Sequence, residues 1–256
     1  MGKLRTGCVG WSYEDWVGPF FPPGSQPRDF LPFYSKVFNI VEVDSTFYSS
    51  PNDFLVRRWK NATPEDFTFT AKIPQAITHE KKLRECEVEL SEFLTTIELL
   101  KPKLYCLLAQ MPPSFNYEED MGALEDFLRA WEVNEDACRL AVELRNSSWF
   151  REELFGLLRK SNVCLVWSVN QYTRDFPAKV TADFLYLRFI GDRELTKFDR
   201  IQKDRSEVLQ ESWRRLRGKL DSVKEAVVFS NNHFAGFAPD TINQFRGLAG
   251  LPQVRW

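Results

Sequence analysis

Glu42, Asp44, Lys72, Glu143, Arg145 and Arg188 each end a short apolar run of the sequence or lie close to its end. In residues 40–44, Val41 and Val43 alternate with Glu42 and Asp44. In residues 139–145, Leu140, Val142 and Leu144 alternate with Ala141, Glu143 and Arg145. In residues 184–189, Leu185, Leu187 and Phe189 alternate with Tyr186 and Arg188, and in residues 67–72 Phe67, Phe69 and Ala71 alternate with Thr68, Thr70 and Lys72. Successive side chains of a strand point to opposite faces, so each charged set shares one face. Glu42 and Glu143 form a candidate general acid and base, provided their surroundings separate their pKa values. Lys72, Arg145 and Arg188 suit a phosphate or a carboxylate on the substrate. Tyr186, Asn231, Asn232 and His233 add polar groups, and Trp11 and Tyr13 add rings after the first run. The same acids and bases can also pair with one another as a structural plug. Apolar filling would pack the space without the desolvation cost of buried ions, which favours a functional reading.

Other chemistries fit less well. His79 and His233 are the two histidines, too few for a multi-zinc site. No metal or cofactor is required, although Glu42, Asp44 and Glu143 would suit a single divalent cation in a phosphodiesterase-like site. No Gly-x-Ser-x-Gly elbow occurs, and no cysteine sits in an activating setting. A glycosidase would use the same carboxylate pair, but three cations suit an anion better than a neutral sugar. A non-enzymatic barrel that binds nucleotides or nucleic acid is the other class. It would stack bases on Trp11, Tyr13, Trp16, Phe20 and Phe21. Residues 193–205 interleave basic and acidic side chains, the pattern of a solvated face.

The elements that must position these residues follow from the same runs. Apolar or β-branched segments occur at residues 6–11, 40–44, 67–72, 104–110, 139–145, 163–168, 184–189 and 226–231. Helical spacing is legible at 80–100, 124–131, 206–220 and 239–248. Strands alternating with helices imply parallel pairing through right-handed crossovers. Eight such units in 256 residues match one closed (β/α)8 barrel, with an open doubly wound sheet as the alternative. The charged strand ends would then meet at the C-terminal mouth. Residues 13–32, rich in proline and aromatics, read as a long loop over that mouth, either a lid or a packed plug. No linker divides the chain, so residues 1–256 read as one domain.

Composition is that of an ordinary soluble globule. Lys and Arg total 34 against 36 Asp and Glu, a formal net charge of −2, which disfavours a general polyanion binder. Cys8, Cys86, Cys106, Cys138 and Cys164 are odd in number and form no CxxC, so they read as reduced, buried thiols of a cytoplasmic protein. No apolar segment is long enough to span a membrane. Gly2 with Thr6 matches a loose acylation pattern, but Thr6 already opens the first strand. Oligomeric state is not legible.

Several of these stretches resemble motifs of one family. They include Gly10-Trp11-Ser12-Tyr13-Glu14-Asp15-Trp16, Glu42-Val43-Asp44-Ser45-Thr46-Phe47-Tyr48 and Ala71-Lys72-Ile73-Pro74. Ile77-Thr78-His79, Gln110-Met111-Pro112-Pro113-Ser114-Phe115, Ala141-Val142-Glu143-Leu144-Arg145, Ser148-Trp149-Phe150 and Asn231-Asn232-His233 follow in order. The sequence is similar over nearly its whole length to the YecE-like group, the domain of unknown function 72 family. That resemblance implies a TIM-like (β/α)8 barrel and implies no activity. Asp44 stands where the family usually has Asn. Phe189-Ile190-Gly191 stands where a histidine usually follows the seventh-strand arginine, and Asn146-Ser147 replaces a usual His-Pro. A mechanism built on those two histidines does not carry over to this chain.

Overall fold

The computed structural model describes residues 3–133, 138–172 and 176–256, so Gly2 of the acylation pattern lies outside the described residues. The strands are β1 (Lys3–Cys8), β2 (Ile40–Val43), β3 (Thr68–Lys72), β4 (Leu104–Gln110) and β5 (Arg139–Glu143), then β6 (Cys164–Leu165), β7 (Trp167–Asn170), β8 (Phe184–Gly191) and β9 (Glu225–Ser230). They form two sheets, ordered β1-β9-β8-β7 and β2-β3-β4-β5-β6. The ladders within them are parallel. The helices are α1 (Pro27–Val37), α2 (Asp53–Asn61), α3 (Glu87–Ile97), α4 (Tyr117–Val133), α5 (Glu152–Lys160), α6 (Ser206–Arg217), α7 (Asn232–Ala235) and α8 (Ala238–Leu248). The protein is therefore an α/β fold of parallel sheets with helical crossovers.

The sheets approach each other at two places. The expected sixth strand is two strands in different sheets, β6 and β7, on either side of Val166. The Val166 amide still donates to the Val142 carbonyl at 2.9 Å. At the other side, Val9 and Glu42 form one parallel bridge, and the Gly10 amide donates to the Glu42 carbonyl at 2.8 Å. Beside that bridge, the buried Tyr34 hydroxyl links β1 to β2. It accepts from the Cys8 amide at 2.7 Å and donates to the Ile40 carbonyl at 3.0 Å. Gly7 makes this approach feasible, because a Cβ there would lie 2.1 Å from the Ile40 carbonyl oxygen. Tyr34→Phe removes the bridging hydroxyl from two buried backbone groups. A stability loss of about 2–6 kcal/mol is expected, at roughly 1–3 kcal/mol for each of the two unsatisfied groups. Denaturant unfolding of the two proteins checks it, and a loss below about 0.5 kcal/mol would mean that the seam does not depend on Tyr34.

One apolar cluster packs between the sheets and the helices, and a smaller one gathers the other face of the strands. Ile40, Leu108, Ala141, Tyr186, Val227 and Phe229 belong to the smaller cluster, so both sheets contribute to it. Val41, Val43, Leu140, Val142, Leu185 and Leu187 belong to the larger, as strand alternation requires.

The 13–32 segment differs from the expected loop. Helix α1 begins at Pro27, where proline's missing N–H costs nothing, and Gln26 and Asp29 close a capping box ahead of it. Trp16, Phe20, Phe21 and Phe30 are buried, and Phe21 stacks on Phe30 with centroids 4.3 Å apart. Those four rings are packed into the core. The expected helix over 80–100 is broken. Lys82, Leu83 and Glu85 all have positive φ, which separates a turn of π-helix (Ala76–Glu80) from α3. The expected helix over 124–131 is the C-terminal part of the longer α4. Among the described residues all five cysteines are free, four of them buried, and no helix is long and apolar enough to cross a membrane.

Candidate functional site

Parallel strands end on the same side, so the residues at their C-terminal ends converge. Arg188, on the inner face of β8, reaches across to the other sheet. Its Nη2 and Nε donate to the two oxygens of Glu42 at 2.5 and 2.9 Å, and its Nη1 donates to Glu143. Glu143 also accepts from Nε of Arg145 at 2.7 Å. The Tyr186 hydroxyl donates to Glu42 at 2.7 Å and accepts from Thr70 at 2.9 Å. Glu42 and Glu143 are 0% exposed and Arg188 3%. Two carboxylates and two guanidiniums thus form a paired group whose charges cancel.

This geometry alters the reading of the carboxylate pair. Glu42 and Glu143 do not face one another across an open space, because the Arg188 guanidinium lies between them. Burial alone would raise the Glu143 pKa, but Arg188 and Arg145 outweigh it and hold the carboxyl at about 2. Glu143 is therefore ionised throughout the neutral range and poorly suited to take and return a proton. The expected cation site of Glu42, Asp44 and Glu143 fails for the same reason, since both glutamates already serve arginines. Among the described residues no group of three His, Cys, Asp or Glu side chains is placed to hold a metal.

Above this layer lies a cavity of about 330 Å³. Its wall includes Tyr13, Asp44, Lys72, Arg145 and Arg188, together with Asn231, Asn232 and His233. Glu42, Glu143 and Tyr186 lie below it. Trp11 is elsewhere: it packs edge-on against Trp59, centroids 5.6 Å apart, and lines a separate cleft beside α1 and α2. Tyr13 is pinned by a hydrogen bond from its hydroxyl to the Val9 carbonyl at 3.0 Å. The side-chain oxygen of Asn231 caps α7 by accepting from the His233 amide at 2.9 Å. Asn232 is 1% exposed, and its oxygen accepts from Nε1 of Trp16 at 3.2 Å and from the Ala238 amide at 3.0 Å. Those two donors fix the orientation of the amide and leave its Nδ2 buried with no hydrogen-bond partner. Gly191 lets β8 pass close to this loop: a Cβ there would meet the His233 carbonyl oxygen at 2.2 Å.

Lys72 is held by a directional chain. Its Nζ donates to Oε1 of Gln110 at 3.0 Å and sits 3.8 Å from the centroid of the Phe47 ring. Nε2 of Gln110 donates to Nε2 of His79 at 3.4 Å. Nδ1–H of His79 then donates to the Thr78 hydroxyl at 2.9 Å, which donates to the Pro74 carbonyl at 3.2 Å. The tautomer follows from these partners. Burial, then Lys72 and Arg145, push the His79 pKa down to about 4, so it is a neutral link at physiological pH. Burial and the nearby Arg188 push Lys72 down to about 7, against the opposing pull of Glu42 and Glu143. Burial and Glu42 raise Asp44, which keeps its proton to higher pH than an ordinary aspartate.

The linear pattern missed part of this wall. Arg193, Tyr48, Tyr172, Asn170 and Phe198 line the cavity. They come from strand ends and connecting segments with no alternation to reveal them. Arg193 was part of the solvated 193–205 stretch, whose Lys197, Arg200 and Lys203 pair with Asp199, Asp192 and Glu194.

These features define an α/β protein of parallel sheets with a small, polar, cation-rich cavity at the C-terminal strand ends. The chain belongs to the family described as "Protein of unknown function DUF72", whose model matches residues 5–255. It is similar to a DUF72 family protein of Thermotoga maritima, with TM-score 0.81 and 29% identity over 97% of this chain and 99% of that one. It is 34% identical over 125 residues to the UPF0759 protein YecE of Escherichia coli, covering 49% of this chain and 43% of that protein. It is 30% identical over 153 residues to the UPF0759 protein YunF of Bacillus subtilis, covering 57% and 52%. The chain spans about half the length of the curated relatives it matches.

Proposed function

We propose that the chain is a single-domain (β/α)8 barrel and an enzyme acting on a small anionic substrate, bound in the cavity at the C-terminal mouth. The bridge at Val9 and Glu42, the continuity through Val166 and the inner cluster shared by both sheets support the barrel. The observation that carries the functional reading is the charge of the cavity wall. Lys72, Arg145, Arg188 and Arg193 line it, against Asp44 as the one carboxylate in that lining among the described residues. Asn232, whose Nδ2 is buried without a partner, belongs to the same wall. A phosphate or carboxylate group matches that set. Proton transfer falls to Asp44 and Lys72 in place of Glu42 and Glu143. Their surroundings move the two groups toward each other in pKa, a lysine that gives up its proton near pH 7 beside an aspartate that keeps its own longer.

Calorimetric titration with phosphate, sulfate and small carboxylates is the test. Saturable binding is expected, weakened about tenfold or more by Arg193→Met, because hydrogen bonds to charged groups contribute about 1.5–3 kcal/mol. Arg193 is exposed, so its removal leaves the fold undisturbed. Binding should fall only modestly with salt, since few charges are neutralised. Absence of saturable binding at millimolar anion would overturn the reading. A steep salt dependence with single-stranded oligonucleotides would favour a nucleic-acid-binding barrel instead.

A further inference from the structure

Lys72 differs from its neighbours Arg188 and Arg145 and from the buried Lys103. Arg188 is enclosed by Glu42 and Glu143, and Arg145 by Glu143. Lys103, also buried, is capped by the carbonyls of Lys60 and Thr63, each at 2.8 Å. Lys72 is 7% exposed and has one neutral acceptor, Gln110, and an aromatic ring beside it. Among the described residues no carboxylate comes within ion-pair distance of its Nζ. Two guanidiniums share its surroundings. The amine is thereby held in a fixed position on the wall of a cavity, in a setting that favours its neutral, nucleophilic form.

We propose that Lys72 is a covalent attachment point, whose Nζ condenses with the carbonyl carbon of a small anionic aldehyde or ketone in the mouth cavity to form an imine. The inference rests on the anion-binding reading of the same cavity. The nitrogen lone pair attacks the carbonyl carbon, a C–N bond forms, and the carbonyl π pair moves to oxygen, which takes a proton. The C–O bond then breaks as the nitrogen lone pair forms C=N, and the oxygen leaves as water. In sum, the ammonium and the carbonyl compound give a protonated imine and one water. Two of the three nitrogen protons depart with the carbonyl oxygen, and nothing is oxidised or reduced. Asp44, on the same wall, is placed to supply the proton for the departing oxygen. Arg145 and Arg193 are placed to hold the anionic group.

Every charged neighbour bears on the amine. Arg188 and Arg145 oppose its protonation, while Glu42 and Glu143 favour it. Asp44, neutral His79, and Tyr13, Tyr48, Tyr172 and Arg193 of the cavity wall are among the other titratable groups around it. Imine formation should therefore decline below about pH 7 as Lys72 takes up its proton.

The test is reductive trapping on the full chain. The protein is incubated with sodium cyanoborohydride and either glyoxylate, pyruvate, glyceraldehyde 3-phosphate or neutral glycolaldehyde, and the adducts are mapped by peptide mass spectrometry. The expected result is one dominant adduct on Lys72 with an anionic carbonyl compound, forming about tenfold or more faster than at surface lysines. Inorganic phosphate should suppress it, and Lys72→Arg, checked for folding by circular dichroism, should abolish it. Adducts spread over surface lysines and unchanged in Lys72→Arg would overturn the proposal, even if phosphate still binds by calorimetry. A Lys72 adduct formed equally with neutral glycolaldehyde and insensitive to phosphate would support the nucleophile and overturn the anionic reading of the cavity.

Discussion

Glu143→Gln is expected to cost about 3–5 kcal/mol of stability, because it leaves buried positive charge without its counter-ion. For a chain of this size that corresponds to a melting-temperature loss of roughly 10 °C. The glutamine keeps the shape and one acceptor oxygen, so the loss reports charge rather than volume. Arg188 is 3% exposed and recovers little by hydration, whereas Arg145 is 12% exposed and recovers more of its solvation. The pH dependence carries the same signature. The folded-state pKa of about 2 lies below the ordinary value of 4.5. Its contribution is thus fully present above about pH 4.5 and lost as pH falls through about 2. The gap between wild type and Glu143→Gln should narrow over that window. Acid-dependent unfolding of both proteins measures it. A loss below about 1 kcal/mol with anion response abolished would return Glu143 to a catalytic role.

Lys72→Met is expected to act in the opposite direction. The folded-state pKa of about 7 lies below the ordinary 10.5, so the native state disfavours the ammonium. At pH 7 and below, the wild type carries that penalty. Between about pH 7 and 10.5 the unfolded chain holds a proton that the native chain does not, so wild-type stability rises with pH. Methionine fills similar volume without a charge. A net gain of about 2–4 kcal/mol is expected at or below neutral pH, after subtracting about 1 kcal/mol for the lost bond to Gln110. The gain should disappear toward pH 10.5. Denaturant unfolding of both proteins at several pH values checks it. A variant less stable than wild type at pH 6 would show that the ammonium is well compensated and would remove the basis for its reactivity.

The sequence alone determined the inner faces of β2, β3, β5 and β8, because a period of two with large apolar residues on one side leaves no freedom about the other. It thereby put Glu42, Lys72, Glu143, Tyr186 and Arg188 on the strand faces that turn away from the larger apolar cluster. Helices α6 and α8 were legible from their apolar spacing. Helices α2 and α5 were not, since nine residues burying two or three side chains leave little periodicity to read. Helix α1 was hidden by Pro27 and Pro32, which mark a loop unless the first turn of a helix is known to begin there.

Only the tertiary structure decided which charges pair and which face the cavity. Alternation gives a side chain's face but not its partner, and the pairing depends on the distance from β8 to β2 and β5. That distance puts the Arg188 guanidinium between Glu42 and Glu143 and removes both from proton transfer. Lys72 is left with Gln110 and a ring, the setting on which its proposed reactivity rests. Trp11 and Tyr13, two residues apart in sequence, part company for a related reason. The chain turns at Gly10, which has a φ of +72°, and sends one ring to the outer cleft and the other to the cavity.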